Sequence, residues 1–176
     1  LEPIVVWERN PGEYYLVGGF HRHNAIRRIR AQNPGYFDRV DVRVVQGELP
    51  NGLRYMVQKH GNPEGRAVMW MHVSTGSLNE TDPQRGIAHY LEHMAFNGSE
   101  HFPPGEVVKF FEGMGMTCGR DQNAFTSFEQ TVYQLSLPDV KEETVRRGLT
   151  FFSDVGTGLL LLDKEIDNER QIILEE

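Results

Sequence analysis

The sequence predicts an α+β fold, in which an antiparallel sheet has helices packed on one face. Segments with apolar residues at every second position, bounded by turn signals, indicate strands. Segments with apolar residues at helical spacing indicate helices between them. The two kinds of segment come in pairs, in the order β-β-α-α-β-β-α-α, which is typical of α+β proteins. A length of 176 residues is enough for one domain and too short for two comfortable ones.

Residues 1–40 differ from the rest of the chain. They contain the turn signals Pro11-Gly12, Gly18-Gly19 and Asn33-Pro34-Gly35. A basic stretch over residues 26–30 suggests one or two helical turns, and His21 and His23 fit an exposed loop better than a metal site. We interpret residues 1–40 as an N-terminal arm or linker and residues 41–176 as the domain proper.

The first strands of the domain follow from about residue 41. Val42, Val44 and Val45 indicate a strand, residues 49–52 a hairpin turn, and residues 53–59 its returning strand. Residues 66–74 alternate as a further strand, with Ala67 and Met69 on one side and Val68 and Trp70 on the other.

Two helices are predicted next. The first spans about residues 83–96, with Asp82 as its N-cap, Pro83 in its first position and Asn97-Gly98 at its end. The second covers about residues 105–114 and carries an apolar stripe that includes Phe110 and Phe111.

The second half of the domain repeats this order. Residues 117–125 and 129–137 are predicted to form two antiparallel strands. A third helix is expected over residues 139–156, and a fourth begins at Asp163 and runs to the end of the chain.

The composition excludes several classes of function. A net charge of −7 argues against a nucleic-acid-binding protein, which would normally present a basic face. No apolar run approaches the roughly 20 residues of a membrane span. The single cysteine, Cys118, excludes an internal disulfide and a cysteine-based zinc site.

The most informative motif lies on the first predicted helix, where His89, Glu92 and His93 form the pattern H-x-x-E-H. Residues four positions apart share a helix face, with roughly 5–6 Å between their Cβ atoms, so both imidazoles can bind one zinc ion. Glu92 lies close to the same face and can act as a general base on water that zinc activates. The motif therefore predicts the catalytic core of a metallopeptidase.

A catalytic zinc site needs a third protein ligand, and the last helix offers acidic candidates at positions 165, 169, 175 and 176. Glu169 and Glu176 share a helix face about 10 Å apart along the axis, so only one of them can bind the ion directly. The spacing leaves the choice open. A regulatory zinc domain would need a fourth ligand instead, and His101 is the only nearby histidine for it.

Seven short phrases of the sequence occur in order over about three quarters of the chain. They are Leu-Pro-Asn-Gly-Leu at 49–53, Gly-Ser-Leu-Asn-Glu at 76–80, Arg-Gly-Ile-Ala-His at 85–89, His-Met-Ala-Phe-Asn-Gly at 93–98, Asn-Ala-Phe-Thr-Ser at 123–127, Glu-Gln-Thr-Val-Tyr at 129–133 and Glu-Arg-Gln-Ile-Ile-Leu-Glu-Glu at 169–176. Through these phrases the chain resembles the inverzincin family of pitrilysin, insulin-degrading enzyme and mitochondrial processing peptidase, and most of all bacterial periplasmic-type zinc proteases. Residues 1–40 are not covered.

The resemblance implies a zinc metalloendopeptidase. It implies that His89, His93 and Glu176 bind zinc, that Glu92 is the catalytic base and that Glu169 supports the site. The glutamate pattern of the family fits Glu169 and Glu176, although the usual spacing from the second histidine fits Glu169 as the ligand.

The resemblance also implies how substrate binds and with what the chain works. A peptide substrate would add as a strand beside the edge strand that carries Asn123, Ala124 and Phe125. Family enzymes pair this domain with a second, similar one, so we expect an N-terminal part of a larger protease that binds zinc weakly and cleaves little alone. We also allow for a homo-oligomer. The bacterial periplasm or cell envelope is favoured over the cytoplasm.

The alternative to an enzyme is a non-catalytic relative that serves as a peptide-binding or assembly subunit. Such subunits are expected to lose residues of the H-x-x-E-H motif, whereas this chain retains His89, Glu92 and His93. The motif therefore favours the enzyme.

Overall fold

The computed structural model describes residues 5–10, 13–18, 44–58 and 64–176, the first two segments as backbone only. The chain forms two compact units, residues 1–64 and 65–176, and each is described by itself. The predicted helical turn over residues 26–30 and the loop with His21 and His23 lie outside the described residues. The division into an arm of residues 1–40 and a domain of residues 41–176 stays a prediction.

The described part of the first unit consists of two antiparallel hairpins. Strands β1 (Val5–Asn10) and β2 (Glu13–Gly18) pair on either side of Pro11-Gly12 in the sequence. This hairpin was not predicted from the sequence, although β-formers such as Trp7 and Tyr14 were a signal for it. Strands β3 (Val44–Glu48) and β4 (Arg54–Gln58) pair as predicted.

The second unit contains a three-stranded antiparallel sheet. Its strands are β5 (Ala67–Val73), β6 (Gln122–Thr126) and β7 (Thr131–Leu137), in the spatial order β5-β7-β6. The predicted strand over residues 117–125 begins five residues too early, because residues 117–121 form a turn in which Thr117 N donates to Asp121 Oδ2 at 2.8 Å.

Four α-helices accompany this sheet within the described residues. They are α1 (Ile87–Met94), α2 (Glu106–Gly113), α3 (Glu142–Thr157) and α4 (Asp163–Glu175). The core joins side chains of the sheet and of α2 and α3 with those of neighbouring loops: Phe102, Val107, Phe111, Met116, Leu135, Leu137 and Phe151. None of the helices in the described segments has the length and apolar character needed to cross a bilayer.

Helices α1 and α3 lie on the same face of the sheet. Helix α3 approaches most closely at Gly148, where an added Cβ atom would lie 2.8 Å from Met69 Sδ and 3.5 Å from carbons of Leu135 and Leu137. Gln122 lies opposite Leu135 and Thr126 opposite Thr131, so these side chains share that face. Helix α1 contacts it through a hydrogen bond from Thr126 to Glu92. The α+β class is confirmed.

Helix α1 begins four residues later than the sequence indicated. The predicted cap Asp82-Pro83 forms a short 3₁₀ turn instead, and Gly86 precedes α1 with φ of 89°, a conformation that favours glycine. The carboxylate of Glu80 caps the helix, accepting hydrogen bonds from Gly86 N at 2.8 Å and Ala88 N at 2.7 Å. A negative charge at this end also stabilises the helix dipole.

Candidate metal centre

The two histidines of the H-x-x-E-H motif face each other on α1. His89 Nε2 and His93 Nε2 lie 3.1 Å apart, and the two rings are nearly perpendicular at 86°. This geometry follows from their spacing of about one helical turn. The two lone-pair positions therefore converge on one point beside the helix.

Helix α4 brings the third donor to the same point. Glu176 Oε2 lies 3.3 Å from His89 Nε2 and 3.4 Å from His93 Nε2. Three ligands at about 2.0–2.1 Å from a tetrahedral zinc ion lie roughly 3.3 Å from one another. The donor set of two imidazoles and one carboxylate, together with its spacing, thus fits zinc.

Glu169 lies behind the donor cluster and contacts the other nitrogen of His93. Its Oε1 is 2.7 Å from His93 Nδ1, and its Oε2 accepts a hydrogen bond from Asn97 Nδ2 at 2.5 Å. A carboxylate beside Nδ1 favours the imidazole tautomer that is protonated at Nδ1. The lone pair of Nε2 is then free to bind a metal ion. Tyr90 also binds α4, because its hydroxyl donates to the carbonyl oxygen of Ile166.

Glu92 is buried between α1 and the sheet, with 8% of its surface exposed. Thr126 Oγ1 donates to Glu92 Oε2 at 2.8 Å. Tyr133 is also buried, and burial together with the charge of Glu92 raises its pKa to about 12, so the phenol stays neutral. Thr126 and Tyr133 were not predicted as site residues, because only the strand register brings them near Glu92.

One cleft of about 920 Å³ contains every residue that the sequence analysis assigned to the site. Its lining includes His89, Glu92, His93, Asn123, Ala124, Phe125, Glu169 and Glu176. Strand β6 forms one wall and pairs only with β7 among the described strands, which makes it an edge strand. Asn123 and Phe125 are exposed on it, and Ala124 is half-buried.

His101 contributes no atom to this donor cluster. Its Nδ1 lies 2.8 Å from Oδ1 of the buried Asp154, which also accepts hydrogen bonds from Ser99 Oγ at 2.6 Å and His101 N at 2.9 Å. Burial alone would raise the pKa of Asp154, but the hydrogen bonds from Ser99 and His101 outweigh it and lower that pKa. The idea that His101 closes a four-ligand zinc site is therefore wrong.

Two histidines one helical turn apart, a glutamate between them and a carboxylate from a distant helix define the class of site found in inverzincin metallopeptidases. The chain belongs to the insulinase family, peptidase family M16, whose family model matches residues 55–176.

The chain is similar to named zinc proteases and processing peptidases. It is 41% identical over 136 residues to the probable zinc protease PqqL of Escherichia coli, covering 77% of this chain and 15% of that protein. It is 31% identical to the beta subunit of the mitochondrial-processing peptidase of Mus musculus. This alignment covers 90% of the present chain and 33% of the mouse subunit.

A solved structure gives the same result for the fold. The chain is similar to the crystal structure of the first half of the periplasmic protease PqqL from Escherichia coli, with a TM-score of 0.72 and 41% identity. The match covers 75% of the present chain and 28% of the solved PqqL chain. The chain thus spans a minor part of the length of these relatives.

Proposed function

We propose that the chain forms the zinc-binding part of a metalloendopeptidase that hydrolyses peptide bonds. The observation that supports this most is the convergence of His89 Nε2, His93 Nε2 and Glu176 Oε2 within 3.1–3.4 Å of one another. Membership of a peptidase family supports it independently.

Under this proposal His89, His93 and Glu176 hold zinc, and Glu169 orients His93 through its contact with Nδ1. When bound, zinc would polarise the carbonyl of the scissile peptide and lower the pKa of a water molecule beside it. Glu169 has a supporting role rather than a ligand role because its carboxylate contacts Nδ1 of His93 and not the Nε2 side.

Glu92 is the proposed general base. Its Oε2 is occupied by the hydroxyl of Thr126, and Oε1 has no hydrogen bond within the described residues. We therefore assign the proton transfer to Oε1, which takes a proton from the attacking water and passes it to the nitrogen of the leaving amine. The hydrogen bond from Thr126 fixes the carboxylate for this task.

The edge of β6 is the proposed binding surface for the peptide. An extended peptide can add to an edge strand through backbone hydrogen bonds, while pockets on either side select its side chains. Asn123, Ala124 and Phe125 lie on that strand and line the cleft that holds Glu92. The backbone would supply affinity for many sequences.

We further propose that hydrolysis requires a second, similar domain, since the chain spans 15% of the length of the Escherichia coli relative. The solved relative is a periplasmic protease, and we propose the periplasm or cell envelope for this protein as well.

Glu92→Gln in the intact protein tests the assignment of the base. We expect zinc content to stay at the wild-type level, because Glu92 is not a ligand, while kcat falls by roughly 10²–10⁴-fold. Metal analysis and cleavage of a fluorogenic peptide measure the two quantities.

Glu112→Gln, which changes an exposed charge on α2, is the matched control and should leave both quantities unchanged. Cleavage at the wild-type rate by the Glu92 variant would show that the base is wrongly assigned. Absence of cleavage by the wild-type protein with zinc bound would instead favour a non-catalytic peptide-binding subunit.

A further inference from the structure

Gln122, at the start of β6, is a buried polar residue whose side chain has no evident structural role. Only 1% of its surface is exposed. Neither Oε1 nor Nε2 has a hydrogen-bond partner among the described residues. A buried amide without partners is unfavourable, and such a group in a folded protein calls for a partner from elsewhere.

Gln122 lines the cleft that contains Glu92, together with Phe96 and Val108. Gln122 and Ala124 point to the same face of the sheet as Thr126, which contacts Glu92. Four residues of strand place Gln122 about 13 Å along β6 from Thr126. Gln122 therefore lies at the end of the proposed peptide groove, in the same cleft as the apolar side chains of Phe96 and Val108.

The backbone of Gln122 limits how a peptide can pair with β6. Gly119 N donates to Gln122 O at 2.8 Å, so the preceding turn already covers the edge at this residue. An added peptide strand can pair from Asn123 onward. The peptide residue opposite Ala124 then has its side chain on the face of Gln122, as a diagonal neighbour about 7–8 Å away.

We propose that Gln122 is a specificity-determining residue, whose amide recognises a glutamine side chain on the peptide residue opposite Ala124. This proposal rests on the proposed addition of peptide to β6. A primary amide both donates and accepts, so it can pair with Oε1 and Nε2 together. A long side chain is needed to span the diagonal distance, which selects glutamine over asparagine.

The same chemistry excludes other side chains of similar length. Methionine fills the volume but leaves both atoms of the Gln122 amide without partners. Glutamate offers acceptors only, which leaves Gln122 Oε1 unpaired and buries a charge beside the amide. Sites built around buried polar groups discriminate strongly against ligands that leave those groups unpaired.

The test uses the intact protein and peptides that carry glutamine, methionine or glutamate at each position in turn. For the wild type, kcat/KM should favour glutamine over methionine and glutamate at one position by at least about tenfold. Gln122→Met, a change of similar volume, should remove that preference at this position and leave the other positions unchanged.

Thermal unfolding without peptide provides a second readout. Gln122→Met removes a buried amide without partners, so the unfolding temperature should stay equal or rise. A lower unfolding temperature would mean that the amide has a structural partner, and would overturn the proposal. A cleavage profile identical in wild type and variant would overturn it as well.

Binding separates this proposal from the proposed hydrolysis. Fluorescence anisotropy with labelled glutamine and methionine peptides is measured on Glu92→Gln with and without Gln122→Met. A glutamine preference that depends on Gln122, found together with a wild-type protein that never cleaves, would retain the specificity site and reject hydrolysis. Cleavage without any dependence on Gln122 would retain hydrolysis and reject the specificity site.

Discussion

Glu169 shows how one carboxylate can control a metal ligand without touching the metal. Its two oxygens bind His93 Nδ1 and Asn97 Nδ2, so its position is fixed from two sides. The partner of the second ring nitrogen sets the tautomer and the direction of the first. The lone pair of His93 Nε2 therefore depends on a residue 76 positions away in sequence.

Glu169→Ala should weaken zinc binding by roughly 10–100-fold in the intact protein, because His93 loses the partner that fixes its ring. Alanine preserves the helix, so α4 should still form. Competition with a chromophoric chelator gives the zinc affinity.

Glu175→Ala is the matched control, since it removes an exposed acid from the same helix and should leave zinc affinity unchanged. Glu176→Ala should have a larger effect than Glu169→Ala, because it removes a proposed ligand. A larger effect of Glu169→Ala would instead identify Glu169 as the ligand and Glu176 as the supporting acid.

At the scale of the elements, periodicity and turn chemistry were sufficient to predict α1 to α4 and the strands β3 to β7, but not their boundaries. Helix α1 was placed too early because Asp82-Pro83 has the residues of an N-terminus. The observed cap, Glu80, lies six residues before Gly86 and acts through a folded loop. Propensity describes neighbours in sequence, and this cap is a tertiary contact.

The residues of the site were predictable to different degrees. His89, Glu92 and His93 lie within one helical turn and a half, so their spacing alone brings them together. The approach of Glu176 to the histidines depends on how α4 packs against α1. The periodicity of the sequence carries no information about that packing. Gln122 gave no signal at all, because its importance arises from burial without a partner.

The contact between His101 and Asp154 joins the loop after α1 to helix α3, and it should make stability depend on pH. The hydrogen bond with Asp154 raises the pKa of His101 above 6.5. The protonated ring therefore contributes stability fully below about pH 6.5, and this contribution is lost as pH rises through the raised pKa. The lowered pKa of Asp154 maintains its charge down to below 3.8.

Urea unfolding of wild type and His101→Gln should differ most between about pH 3.8 and 6.5, where both partners are charged. The difference should shrink towards pH 8.5, because the wild type loses its imidazolium while glutamine does not titrate. A difference that grows with pH would contradict this ion pair. His72→Gln, at an exposed histidine of β5, serves as the control.

At the scale of the whole molecule, the proposed zinc ion would join α1 to α4, which lie far apart in the sequence. Helix α4 has no buried residue, and Ile172 and Leu174 are exposed on it. Polar contacts join it to α1 through Tyr90, His93 and Glu176. A helix with so little buried apolar surface belongs to the segments that open most easily.

Zinc should therefore slow hydrogen exchange in α4 far more than in α2, which holds no proposed ligand. Opening α4 removes Glu176 from the site, so each opening must also release zinc. At a free zinc concentration about 100 times Kd, that requirement adds about 2.7 kcal/mol to the opening free energy, or roughly a hundredfold in exchange rate. Hydrogen-exchange mass spectrometry of the intact protein with and without zinc measures the exchange rate of each helix.

Glu176→Ala should abolish the zinc-dependent slowing. Equal slowing in α2 and α4 would show that zinc does not hold α4 through Glu176.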